Sequence, residues 1–175
     1  MSENNNDARL FIVCGIPGAG KEKVAFAMRR YAGLLNRNAV IIDHELMMKM
    51  LFGPFGDDSS DINMFLVYQT IVQAARNCVK ENYDVIMLGM FLVKKERDIL
   101  LSTIKSKKTK IIWCNRPEPR FPNCIDPRTT EALYKIGKFA AQIFEEPTEE
   151  ECEVVKIEDT DTFLKGENMP FIYGK

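Results

Sequence analysis

Apolar positions along the chain alternate between two kinds of spacing. Leu10-Phe11-Ile12-Val13-Cys14 is an unbroken apolar run, the pattern of a strand buried on both faces. From Glu22 to about Leu35 the spacing becomes three and four: Val24, Ala25, Met28, Tyr31, Ala32 and Leu35 mark one side of a helix. Ala39–Ile42 predicts a second buried strand that ends at Asp43. His44–Phe52 predicts a short helix stopped by Gly53-Pro54. Residues 53–60 read as a loop, and Asp61–Glu81 as a long helix with Met64, Val67, Tyr68, Ile71, Ala75 and Cys78 on its apolar side. Asp84–Leu88 is a third strand. Lys94–Lys105 is a helix with Ile99, Leu100 and Ile104 inward, and Ile111–Cys114 is a fourth strand. Asn115–Arg128, rich in Pro and Arg, reads as loop. Thr130–Glu146 is a helix ended by Pro147, with Leu133, Ile136, Ala140 and Ile143 inward, and Glu153–Ile157 a fifth strand. The tail from Glu158 has little pattern.

This alternation of strand and helix predicts an α/β fold: a parallel sheet with helices on both faces. Right-handed crossovers then collect the strand ends, and any ligand, along one edge of the sheet. Residues 1–8 read as a disordered lead-in, and 9–175 as a single domain without repeat or linker.

Composition narrows the function only by exclusion. A formal net charge of −1 argues against a general basic surface for nucleic acid. The five cysteines form no CxxC pair, and with one histidine a zinc site is not indicated. No signal peptide or stretch long enough to cross a bilayer is readable, so a cytoplasmic location without a membrane partner is the default expectation.

Gly15-Ile16-Pro17-Gly18-Ala19-Gly20-Lys21 completes the pattern GxxxxGK between a predicted strand and a predicted helix, the context the motif requires. Glycines let backbone N–H groups turn inward around an anion, and the helix N-terminus adds partial positive charge. Lys21 supplies a full charge for phosphates. The residues from Gly15 to Glu22 are therefore the candidate nucleotide-phosphate site.

Phe11–Ala25 resembles the Walker A segment of the small P-loop kinases, especially the polynucleotide kinase-like and zeta-toxin-like group. Val40-Ile41-Ile42-Asp43 resembles that family's second strand, whose terminal aspartate takes the proton from the acceptor hydroxyl. Asp84–Leu88 with Phe91, and Phe144–Thr148, resemble two further segments, so the likeness spans about residues 9–157. It implies a three-layer P-loop NTPase fold of about five parallel strands with an Arg- and Pro-containing lid. It implies ATP-dependent phosphoryl transfer, with Mg²⁺, to a hydroxyl of a nucleotide, nucleoside or polynucleotide. By the same resemblance Lys21 and Asp43 are catalytic candidates, and Arg116, Arg120 and Arg128 are lid arginines suited to neutralise phosphate.

Three positions depart from the family pattern. Glu22 stands where a Ser or Thr would ligate Mg²⁺; a carboxylate is also a legitimate ligand, so Glu22 and Asp43 are the metal candidates. Leu88 replaces the aspartate that ends the third strand, and Leu46 an arginine that holds an acceptor phosphate. These departures keep a second reading open: a degenerate P-loop protein that binds nucleotide and works through a protein partner. A nucleotide hydrolase is a third. Asp43 also suits a helix cap, and His44 and Glu45 read as surface residues. Lys94, Lys95 and Arg97, with Lys105, Lys107, Lys108 and Lys110, form two basic clusters, read first as solvated surface and otherwise as a track for a nucleic-acid backbone. Phe52, Phe55 and Phe91 read as core before they read as base-stacking groups.

Overall fold

The computed structural model describes residues 7–53, 61–116, 127–165 and 168–174. Five parallel strands, β1 (Arg9–Cys14), β2 (Ala39–Asp43), β3 (Asp84–Leu88), β4 (Lys108–Cys114) and β5 (Glu153–Ile157), form one sheet in the order β2-β3-β1-β4-β5. Between them run α1 (Lys21–Leu34), α2 (His44–Phe52), α3 (Asp61–Lys80), α4 (Lys94–Thr103) and α5 (Pro127–Ile143). Two short helices follow β5: α6 (Thr160–Lys165) and α7 (Met169–Tyr173).

The apolar strand runs are buried on both faces because successive side chains point to opposite sides of the sheet. Leu10, Ile12, Met87 and Ile111 pack with Met48 of α2, Val67 and Ile71 of α3 and Leu100 of α4. Phe11, Val13, Ile86 and Ile112 pack on the other face with Val24 and Met28 of α1, Ala140 of α5 and Ile172 of α7. The result is three layers, as the alternating pattern predicts. Among the described residues, no helix is long and apolar enough to cross a membrane.

The register levels the chemistry. Asp43 lies beside Leu88, and Leu88 beside Val13, so the ends of β2, β3 and β1 reach the same sheet edge. The glycine loop leaves the central strand there, one residue later.

Several details differ from the sequence reading. Strand β4 starts at Lys108, because the strands pair from Arg9↔Lys108 onward although residues 108–110 are polar and not fully buried. Helix α5 ends at Ile143, before Pro147, and its residues Ile136 and Ile143 are exposed while Ala140 is buried. Ile99 of α4 is likewise exposed. Asp7 and Ala8 belong to the fold rather than to a lead-in: Ala8 is buried, and Asp7 binds Lys108 and Arg37. The tail carries α6 and α7, whose six and five residues are too short to show a helical period. Tyr173 of α7 reaches back to α1, its hydroxyl donating to the Met28 carbonyl at 2.9 Å.

Arg97 corrects the reading of a solvated basic helix face. Its guanidinium is fully buried and forms a two-pronged pair with Glu151, Nε to Oε2 at 2.8 Å and Nη2 to Oε1 at 3.0 Å. Its third nitrogen, Nη1, donates to the Phe91 carbonyl at 3.0 Å. Glu151, read as part of an acidic turn, is thus the counter-ion of the core. Phe91 is buried, as read, at φ 43°, a left-handed conformation unusual for a bulky residue. Phe55 lies outside the described residues.

Candidate functional site

The loop that joins β1 to α1 is built from three glycines with positive φ: Gly15 at 148°, Gly18 at 78° and Gly20 at 86°. Two of them are also sites of close approach. A Cβ on Gly15 would lie 2.6 Å from the Cys114 carbonyl oxygen, and one on Gly20 2.5 Å from Thr160 Oγ1 of α6. The loop is thereby pressed between the ends of β4 and α6, which a side chain at either position would push apart. From the other side, the Gly15 N–H donates to the Met90 carbonyl at 3.2 Å, in the turn whose Phe91 is gripped by Arg97. The buried Arg97–Glu151 pair therefore braces the first residue of the loop.

Gly20 is the N-cap of α1 and has no side chain to bond the first-turn amides. Those amides lack partners within the helix, and they meet the positive end of a fourteen-residue dipole. The loop thus suits a polyphosphate: glycines at positive φ, a helix start with no side-chain cap, and a lysine at the first helical position.

Lys21 is only 2 % exposed, and its ammonium is held by two carboxylates. Glu22 Oε1 stands 3.1 Å from Nζ and Glu45 Oε1 3.5 Å. Burial works against the charge, but Glu45 and Glu22 outweigh it and hold the lysine above its ordinary range. Glu45, read from the sequence as surface, is a member of this site. Its signal was position: it occupies the first turn of α2, directly after the strand-ending Asp43.

Asp43 caps α2, its Oδ1 accepting from the Leu46 N–H at 3.0 Å. His44 is buried against the rings of Tyr68 and Phe91 rather than exposed. Leu88 is buried at the end of β3, with its side chain in the core on the α1 face. Among the described residues, no group of three or more His, Cys, Asp or Glu side chains could hold a metal ion. A divalent cation here would fit only as a partner of phosphates, with one or two carboxylates and water completing its shell, the usual manner of Mg²⁺.

Of the three arginines that the resemblance assigns to a lid, only Arg116 lies wholly among the described residues. It stands just beyond β4, where the Asn115 N–H donates to Ile157, and its Nη2 lies 3.5 Å from Asp161 and 3.7 Å from Asp159. Lys23 of α1 binds Asp161 at 2.9 Å, so Arg116, α6 and the start of α1 share one ionic network beside the loop. Thr162 and Arg116 hold the Asp159 carboxyl below the usual range; Lys23 and Arg116 do the same for Asp161. Arg120 lies outside the described residues. Arg128 belongs to α5, and its side chain lies outside them as well. The sequence reading missed α6 and its Thr160, which seat against Gly20.

Neither a family model nor a curated protein sequence matches the chain. Solved structures do. The APS kinase CysC of Mycobacterium tuberculosis, in complex with AMPPNP and APS, superposes with a TM-score of 0.64 at 14 % identity, over 91 % of this chain and 94 % of that one. A sugar kinase from Janibacter sp. gives 0.63 at 12 % identity, over 95 % and 91 %. A gluconokinase from Sinorhizobium meliloti gives 0.60 at 14 %, over 88 % and 84 %. Likeness at these identities speaks to architecture: the chain shares the three-layer α/β fold of these structures, with its glycine loop on the central strand of a five-stranded parallel sheet.

Proposed function

We propose that the chain is an ATP-dependent kinase that transfers the γ-phosphoryl group to a hydroxyl of a nucleotide, nucleoside or polynucleotide acceptor. The observation that carries this reading is Lys21: a buried ammonium at the first position of α1, behind a glycine loop, with carboxylates on either side. Phosphoryl transfer is driven mainly by positioning and charge neutralisation. Lys21 and the first-turn amides hold the β- and γ-phosphates. Glu22 and Asp43 are the groups available to a Mg²⁺ ion, which supplies further neutralisation when bound with ATP. Asp43, at the end of β2, accepts the proton of the acceptor hydroxyl. Arg116, Arg120 and Arg128 neutralise charge on the group in transfer.

A second reading has its own support. Lys21 is already neutralised by Glu22 and Glu45, and Leu88 places no carboxylate at the end of β3. Both features suit a P-loop protein that binds nucleotide and acts through a protein partner. Incubation with γ-labelled ATP and a panel of nucleosides, nucleotides and oligonucleotides separates the two. The kinase reading requires labelled product that disappears in Lys21→Ala. The absence of transfer to any acceptor, with ATP binding retained, favours the second. Unchanged ATP affinity in Lys21→Ala by calorimetry would remove the basis of both.

A further inference from the structure

The strands are parallel, so the sheet has a second edge, about 20 Å from the glycine loop along the six residues of β1. A cleft of about 370 Å³ opens there, at the starts of β1, β4 and β5 and beside α7. Four of its lining side chains are cationic, Arg9, Lys107, Lys108 and Lys110, and one, Glu153, is acidic. On a chain whose formal net charge is −1, this is a local concentration of positive charge.

The cations differ in what they touch. Lys108 binds Asp7 at 2.7 Å, and Lys110 binds Glu153 at 2.6 Å. The Arg9 backbone N–H donates to the buried Asp84 carboxylate at 2.9 Å, whereas the side chains of Arg9 and Lys107 have no carboxylate partner among the described residues. Arg9 is half-buried: Nη1 donates to the Tyr173 carbonyl at 2.9 Å, and its guanidinium lies 5.3 Å over the Tyr173 ring. Its Nε is buried and has no hydrogen-bond partner among the described residues. A partly buried guanidinium with one buried N–H left unbonded gains from an anion that completes it. The planar fork of Arg with a neighbouring ammonium matches a multiply charged oxyanion, which two parallel N–H groups can grip.

The geometry points to this cleft as a second anion site, taking a small phosphate-bearing molecule independently of the glycine loop. Its size is that of small-molecule sites rather than of a surface for a macromolecule. It absorbs Lys107, Lys108 and Lys110, basic residues that the phosphoryl-transfer site does not use.

Titration of the ¹⁵N-labelled chain with inorganic pyrophosphate, read by amide chemical shifts, tests the proposal. Two separable sets of shifts are expected, one over Gly15–Glu22 and one over Arg9, Thr109, Lys110 and Gly174. Arg9→Gln should weaken the second set about tenfold or more while leaving the first unchanged. Arg9 also holds the Tyr173 carbonyl, so Lys107→Glu, at an exposed position without an ion pair, is the companion variant and should weaken the same set. AMP and a sugar phosphate, added in separate arms, distinguish a nucleotide from a sugar-phosphate source. Shifts confined to the glycine loop, or a second set indifferent to both variants, would overturn the site. Tight binding of citrate with none of pyrophosphate would overturn the phosphate assignment. Affinity that climbs steadily with oligonucleotide length would replace a small molecule with nucleic acid.

Discussion

Replacing Glu45 by Gln keeps the shape of the side chain and removes one of the two charges that hold Lys21. The ammonium is 3.5 Å from Glu45 Oε1. Two unit charges at that distance attract by about 1 kcal/mol in water and by about 5 kcal/mol at an effective dielectric of about 20. The Glu45 side chain is 43 % exposed, so solvent screening places the pair near the lower figure. Metal-free ATP must compete with this carboxylate for Lys21, and its phosphates are repelled by the same charge. Glu45→Gln should therefore tighten binding of metal-free ATP by about 1 kcal/mol, or about fivefold. Calorimetry in the presence of a chelator measures this directly, and the gain should shrink as salt is raised. Glu22→Gln, 3.1 Å from Nζ, should act in the same direction. Unchanged or weaker binding of metal-free ATP by Glu45→Gln would refute the claim that Glu45 competes for the lysine.

Other perturbations test the packing behind the site. Glu151→Ala leaves the Arg97 guanidinium buried without its counter-ion, and urea unfolding should report a loss of about 3–5 kcal/mol. Gly20→Ala sets a Cβ 2.5 Å from Thr160 Oγ1 at a φ of 86°, and should lower both melting temperature and nucleotide affinity. Adding Thr160→Ala should restore only the steric part of that loss. Tyr173→Phe removes the hydrogen bond to the Met28 carbonyl and should cost about 1 kcal/mol in unfolding free energy. Burial pushes the thiols of Cys114 and Cys152 up to about 12 and about 11, and that of Cys14 higher still. Peptide mapping after iodoacetamide treatment of the native protein near neutral pH should find these three unmodified.

The strands were legible because they are continuous apolar runs between turn residues, whereas their order in the sheet came only with the structure. The glycine loop was legible because a phosphate cradle requires small residues and a cation at fixed spacing. The rest of the site depends on contacts between distant residues, and spacing carries no trace of those. Glu45 reaches Lys21 across two elements. Arg97 finds Glu151 fifty-four positions away, which turned an apparent surface cation into a fully buried charge. The inward face of α5 was overread because Ile136 and Ile143 keep a helical period yet lie on its exposed side. Helices α6 and α7 span too few residues for any period to show.

The docking of α6 against Gly20 and of α7 against α1 has a consequence for how the molecule is made. The glycine loop is synthesised before Thr160 and Tyr173, which follow it far along the chain. Until they arrive, the loop lacks its outer wall, and the apolar surface of α1 that Ile172 and Tyr173 cover stays exposed. Loss of α6 or α7 would therefore be felt far away in the sequence, at the glycine loop and along α1.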